Sequence, residues 1–145
     1  MKYCIGIDTG VRTGVAVWHP ESREFVSVST MTLTRALDMV RGLAADGVKV
    51  YFEDARQRRW IPDTHDLRRE MGRRQGAGSV KRDCRIWEDF CRENRIPFEA
   101  VAPRRNRTKL SAEAFRRLTG WQGRTSQHAR DAAMLVFGKG KELDL

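Results

Sequence analysis

Cysteine is scarce in this chain. There are three, Cys4, Cys84 and Cys91, an odd number without a Cys-x-x-Cys pair. That argues against a disulfide framework and against a structural zinc site. Long apolar runs are missing too: none approaches the roughly 18 residues of a membrane span. The N-terminus enters a strand pattern directly, without the basic, apolar and small-residue succession of a signal peptide. Internal repeats and low-complexity linkers are absent. These shortages lead to the expectation of one domain over residues 1–145, reduced and cytoplasmic, with no membrane partner.

Negative charge is the other shortage. The chain has 19 Asp and Glu against 28 Lys and Arg, a net charge of +9, and arginine greatly outnumbers lysine. The planar guanidinium fork matches phosphate oxygens, so the excess points to a nucleic-acid partner. Carboxylates that end apolar segments then stand out. Asp8 ends Tyr3-Cys4-Ile5-Gly6-Ile7-Asp8 and Glu53 ends Val48-Lys49-Val50-Tyr51-Phe52-Glu53. A charge at the end of a buried strand is costly to desolvate without a partner.

The hydrophobic pattern predicts strands over 2–8, 13–18 and 24–31, joined by short turns into a meander. On the third, Phe25, Ser27 and Ser29 are expected on one side and Val26 and Val28 on the other. A helix over 34–45 follows, with Thr34 as its N-cap, then a strand over 48–53. A short helix over 65–73 is expected next, then a Gly-containing break at 75–78. A long helix capped by Ser79 runs to about 95, with Val80, Cys84, Trp87 and Cys91 along one face. That face reads as core rather than interface. A strand over 97–101 and helices over 111–118 and 126–137 complete the order. The fold class is α/β.

Side chains alternate along a strand, so Glu53 and Asp54 cannot serve one site. Glu53 reads as the ligand and Asp54 as a solvent-facing or loop carboxylate. His128 and Asp131 are three apart and share a helical face, with no obvious cation partner for Asp131. Asp8, Glu53, His128 and Asp131 together make a candidate metal and catalytic cluster. Magnesium prefers such oxygen ligands. Two ions about 3.5–4 Å apart would activate water and stabilise the leaving oxygen of a phosphodiester. Manganese is an acceptable substitute, and no small-molecule cofactor is expected.

Basic residues crowd the segment after Glu53. Arg56, Arg58, Arg59, Arg73, Arg74 and Lys81 are candidate phosphate contacts, together with Arg12 and a second patch of Arg104, Arg105 and Lys109. Trp60 suits stacking on an unpaired base and equally suits anchoring its loop. The helix opening expected at 76–79 would offer backbone amides to a phosphate.

These residues resemble the RuvC family of Holliday-junction resolvases, within the ribonuclease H-like nucleases. Ile5-Gly6-Ile7-Asp8-Thr9-Gly10-Val11-Arg12-Thr13-Gly14-Val15-Ala16-Val17 looks like the family's first strand, turn and second strand. Val50-Tyr51-Phe52-Glu53 looks like its second acidic motif. Val101-Ala102-Pro103-Arg104-Arg105 with Lys109 looks like its basic loop, and His128-Ala129-Arg130-Asp131-Ala132-Ala133 like its terminal motif. The resemblance covers nearly the whole chain. It implies a mixed five-stranded sheet in order 3-2-1-4-5 flanked by helices. It also implies metal-ligand roles for Asp8, Glu53 and Asp131, and a homodimer acting on branched or four-way-junction DNA. His128 stands where many members have Asp. Alternative readings are a YqgF-like enzyme acting on RNA and a non-catalytic module that binds branched DNA. An actin-like kinase would need a second large lobe, for which the chain is too short.

Overall fold

The apolar run Tyr3–Asp8 forms β1, the central strand of a five-stranded sheet. In the computed structural model, which describes residues 1–57, 67–103 and 109–140 and only the backbone of 67–77, β1 is hydrogen-bonded on both edges. β2 (Arg12–His19) pairs with it antiparallel, and β3 (Glu24–Thr32) pairs antiparallel with β2. Helix α1 (Leu33–Leu43) returns the chain to β4 (Val48–Glu53), which runs parallel to β1. Helix α2 (Leu67–Glu93) leads to β5 (Phe98–Val101), parallel to β4. Helices α3 (Ala112–Thr119) and α4 (Gln127–Met134) follow. The strand order β3-β2-β1-β4-β5 is the expected one.

Strand alternation divides the core in two. One face of the sheet carries Ile5, Ile7, Val15, Val17, Val50 and Phe52, covered by Ala36 and Val40 of α1 and by Cys84, Trp87 and Cys91 of α2. The expected core face of α2 is therefore core. Burial pushes the Cys84 thiol up and the Cys91 thiol up to about 12, which leaves both protonated and inert at neutral pH. The other face carries Cys4, Ala16, Trp18 and Tyr51, covered by Ala129, Ala132 and Ala133 of α4 and Phe115 of α3.

Four expectations about local structure need correction. The strict alternation on β3 fails because Val17 pairs with Ser27 while Trp18 pairs with Phe25, so Val26 is an extra, outward residue. This bulge shifts the phase and puts Phe25 and Val28 in the same buried cluster. Helix α1 starts earlier, because the Thr32 hydroxyl accepts from the Arg35 amide and so takes the cap from Thr34. Helix α4 ends at Met134, before the expected 137. Helix α2 has no break: residues 75–79 lie inside it. A helix tolerates Gly at about 1 kcal/mol each when strong formers flank it, and Gly78 faces open space. The amides at 76–79 are thus interior to a helix and do not form the expected phosphate-binding N-terminus. Residues 65 and 66 lie outside the described residues.

Helix α4 sits unusually close to the sheet. A Cβ on Gly6 would fall on the carbonyl oxygen of Ala132, and one on Gly14 on the carbonyl oxygen of His128. Both obstacles are backbone. Gly14→Ala should therefore cost about 1–3 kcal/mol or more in urea unfolding, as should Gly6→Ala. Gly42→Ala, on α1 with nothing near its Cβ, should instead gain roughly 0.5–1 kcal/mol from helix propensity. Equal stability of Gly14→Ala and the parent would show that α4 does not rest there.

Candidate active site

Register brings the acidic strand ends together. Ile7 pairs with Phe52, so Asp8 and Glu53 end adjacent parallel strands one step further along. Both belong to the alternating set of Gly6 and Tyr51 and so point to the face that α4 covers. Asp8 also pairs with Gly14 across the β1–β2 hairpin, and Gly14 is where the backbone of His128 rests. The N-terminal turn of α4 therefore lands beside Asp8. The Ser126 hydroxyl caps the helix by accepting from the Ala129 amide and also hydrogen-bonds Thr30 on β3, which fixes the helix start to the sheet.

The contacts follow from this seat. His128 Nδ1 lies 2.7 Å from Asp8 Oδ2. Asp131, one turn on, accepts from Gln127 Nε2 at 2.8 Å and pairs with Lys109 Nζ at 3.3 Å. Burial pushes the Asp8 carboxyl above the ordinary carboxylate range. The hydrogen bond from His128 opposes that, while the charges of Asp131 and Glu53 push it further up. Net, the ionised Asp8 is disfavoured. Glu53 and Asp131 thus both lie close enough to repel Asp8, and His128 and Lys109 supply donors to Asp8 and Asp131.

Carboxylates gathered at one point are the donor chemistry of a hard divalent cation. Among the described residues no group of three His, Cys, Asp or Glu side chains is gathered closely enough to hold a metal ion as it stands. Asp8 and Asp131 are hydrogen-bonded to side chains of the protein itself, His128, Gln127 and Lys109. By donor type, Asp8, Glu53 and Asp131 are the residues that could hold magnesium.

Asp54 follows the end of β4 as a loop carboxylate, one of the two expectations for it, but it is not solvent-facing. It is 4% exposed, on the α2 side of the sheet. It accepts from the Arg56 amide, from Arg56 Nε at 2.8 Å and Nη2 at 3.0 Å, and from Gln57 Nε2 at 3.2 Å. Burial pushes its carboxyl up, but these donors outweigh it and hold it below the usual range. Arg56 also bonds Glu88 of α2, which in turn pairs with Arg92. Arg56, expected to meet phosphate, is committed to this network. Gln57 Nε2 further donates to the Ala100 carbonyl, so the exit of β4 is clamped to α2 and β5.

Of the remaining expected phosphate contacts, Arg12 and Lys81 are exposed. Lys109 is occupied by Asp131. Arg58, Arg59, Trp60, Arg104 and Arg105 lie outside the described residues, as do the side chains of Arg73 and Arg74 on α2. Sequence reasoning overlooked Gln127, the Lys109 partner of Asp131 and the glycine seat. The seat had a signal: Gly6 shares Asp8's face, and an Ala-rich helix faces it.

No protein-family model matches the chain, and no curated protein matches it.

The raised Asp8 carboxyl has a definite consequence for stability. Between its ordinary value of 3.8 and its higher folded value, the folded state binds more proton than the unfolded state, so stability falls as pH rises through that window. Asn cannot ionise. In metal-free buffer near pH 7, Asp8→Asn should melt higher than the parent, and the gap should close as pH falls below about 4. A variant melting no higher at any pH would show that the His128 hydrogen bond outweighs burial and repulsion.

Proposed function

We propose that this chain is a divalent-metal-dependent endonuclease of ribonuclease H-like fold that hydrolyses phosphodiesters in branched DNA, resolving four-way junctions as RuvC-like resolvases do. The observation that carries the reading is the seating of α4 on Gly6 and Gly14. It puts His128 at Asp8 and Asp131 close by, while Glu53 ends the adjacent parallel strand on the same face. The net charge of +9 supports a polyanionic substrate.

Asp8, Glu53 and Asp131 would hold magnesium, two ions by the donor count, with manganese able to substitute. When bound, such ions supply an activated water and stabilise the leaving 3′-oxygen. The protein's own groups do the rest. Asp8, on the central strand, is the hub shared by the other two carboxylates. His128 Nδ1 exchanges a proton or hydrogen bond with Asp8 Oδ2, which steers that carboxylate and adjusts its charge. Lys109 pairs with Asp131 and would be released to meet substrate phosphate were Asp131 to hold a metal. The clamp of Asp54 by Arg56 and Gln57 holds the end of β4, and hence Glu53, in place. Strand symmetry in a four-way junction calls for two such sites, so the active form on this reading is a homodimer in the reduced cytoplasm. The free, buried state of Cys4, Cys84 and Cys91 accords with that compartment.

The test is cleavage of labelled four-way junction, flap and linear duplex with Mg²⁺ and with Mn²⁺. Asp8→Asn, Glu53→Gln and Asp131→Asn should each lose at least about 100-fold in rate, the scale of several kcal/mol of charge stabilisation. Their junction affinity should stay near the parent's. Added Mg²⁺ should raise the melting temperature of the parent and not of Asp8→Asn. Undiminished cleavage by Asp8→Asn would overturn the metal mechanism. Tight binding without cleavage by the parent would leave a non-catalytic junction-binding module.

A further inference from the structure

Three exposed arginines flank the site on the side away from Glu53. The sheet carries Asp8, Gly14 and Thr30 in one row, since Asp8 pairs with Gly14 and Gly14 with Thr30. Two residues further along β3, about 7 Å, Thr32 pairs with Arg12. The hydroxyl of Thr32 also caps α1 by accepting from the Arg35 amide at 3.4 Å. Arg12 and Arg35 therefore spring from the two neighbours of one threonine. Arg124 lies in the segment that leads into α4, whose start is tied to β3. It stands two residues before Ser126, whose hydroxyl bonds Thr30.

Among the described residues none of these cations is neutralised. All three are exposed, and among the described residues none has an ion-pair partner. The acid nearest Arg35 in sequence, Asp38, is taken by Arg41 at 2.7 Å. Neither α1 nor α4 has an acidic residue in its first turn, whereas α3 has Glu113. The contrast with Arg56 is sharp: that arginine spends its donors on Asp54 and Glu88. Arg12, Arg35 and Arg124 keep theirs.

Resting on the nuclease reading above, we infer that Arg12, Arg35 and Arg124 form a phosphate rim that holds the backbone of one duplex arm of the DNA substrate on the β3 side of Asp8. A duplex strand presents a phosphate about every 3.4 Å along its axis. Arginines separated by one or two strand steps therefore match neighbouring phosphates. The guanidinium fork grips two phosphate oxygens at once. From the rim, the held strand passes over the row of Asp8 and Gly14 toward Glu53. The rim thus sets which phosphate arrives at the carboxylates. It contributes affinity and register but no chemistry.

The test is equilibrium binding of a fluorescent four-way junction in EDTA, over a series of salt concentrations, so that no cleavage is involved. Arg12→Gln, Arg35→Gln and Arg124→Gln should each flatten the slope of log affinity against log salt by about 0.9, and the triple variant by close to three times that. Arg95→Gln, an exposed arginine between α2 and β5, is the control and should leave the slope unchanged. A triple variant with the slope and affinity of that control overturns the rim, whether or not the parent cuts DNA. A parent that binds no DNA overturns the rim and the nuclease reading together. A flattened slope in a parent that binds but does not cut supports the rim and removes only the catalytic reading.

Discussion

The seating of one helix backbone on two glycines is the constraint on which the rest of this molecule depends. At Gly6 and Gly14 the sheet has no side chains, and the carbonyls of Ala132 and His128 occupy the space where Cβ atoms would be. Helix α4 thereby approaches β1 and β2 closely enough for a short side chain at its first turn to reach a strand end. His128 meets Asp8 only because of that approach. Ala129, Ala132 and Ala133 are the matching half of the arrangement: small, fully buried residues that let the helix lie flat on the sheet. Larger residues on either surface would lift the helix and separate the acidic groups.

The second organising feature is the parity of β4. Val50, Phe52 and Asp54 follow one face, while Lys49, Tyr51 and Glu53 follow the other. Two consecutive carboxylates are thus sent to opposite sides of the sheet and meet opposite fates. Glu53 joins Asp131 in repelling the charge on Asp8. Asp54 is buried and saturated by Arg56 and Gln57. The pair works as an anchor and a tool, the first holding the strand end that presents the second. Cys84 contributes from beneath, its thiol donating to the Glu53 carbonyl at 3.5 Å.

Much of this was legible in the sequence, and the exceptions have physical reasons. The strands themselves and the core face of α2 were readable, because each is written in hydrophobic period, whereas the strand order came from the resemblance to RuvC-like resolvases. The convergence of Asp8 and His128, 120 residues apart, was an expectation with no local trace except Gly6 and Gly14. The bulge at Val26 left no local mark, since it depends on how β3 meets β2. The continuity of α2 was obscured by Gly76 and Gly78, whose modest cost is outvoted by their neighbours. The burial of Asp54 was missed because alternation tells which face a side chain takes but not what awaits it there. Its partner Glu88-linked Arg56 lies two residues on, yet the network closes only through α2.

Charge is arranged here against stability. A chain with net charge +9 could have neutralised its central acids generously, and it does so for Asp54 and Glu88, whose carboxyls are held low by arginine. Asp8 is treated differently. It sits beside two other carboxylates, is half-buried, and receives one histidine in place of an arginine. Nothing in the core requires a carboxylate there; Asn would fit the same hydrogen bond without the repulsion. An avoidable electrostatic cost at the end of the central strand, on a seat that two glycines keep open, is the kind of feature that marks a candidate binding site. On the proposed reading its ligand is a divalent cation, and the unneutralised arginines of the rim extend the same logic outward to the polyanion the cation acts upon.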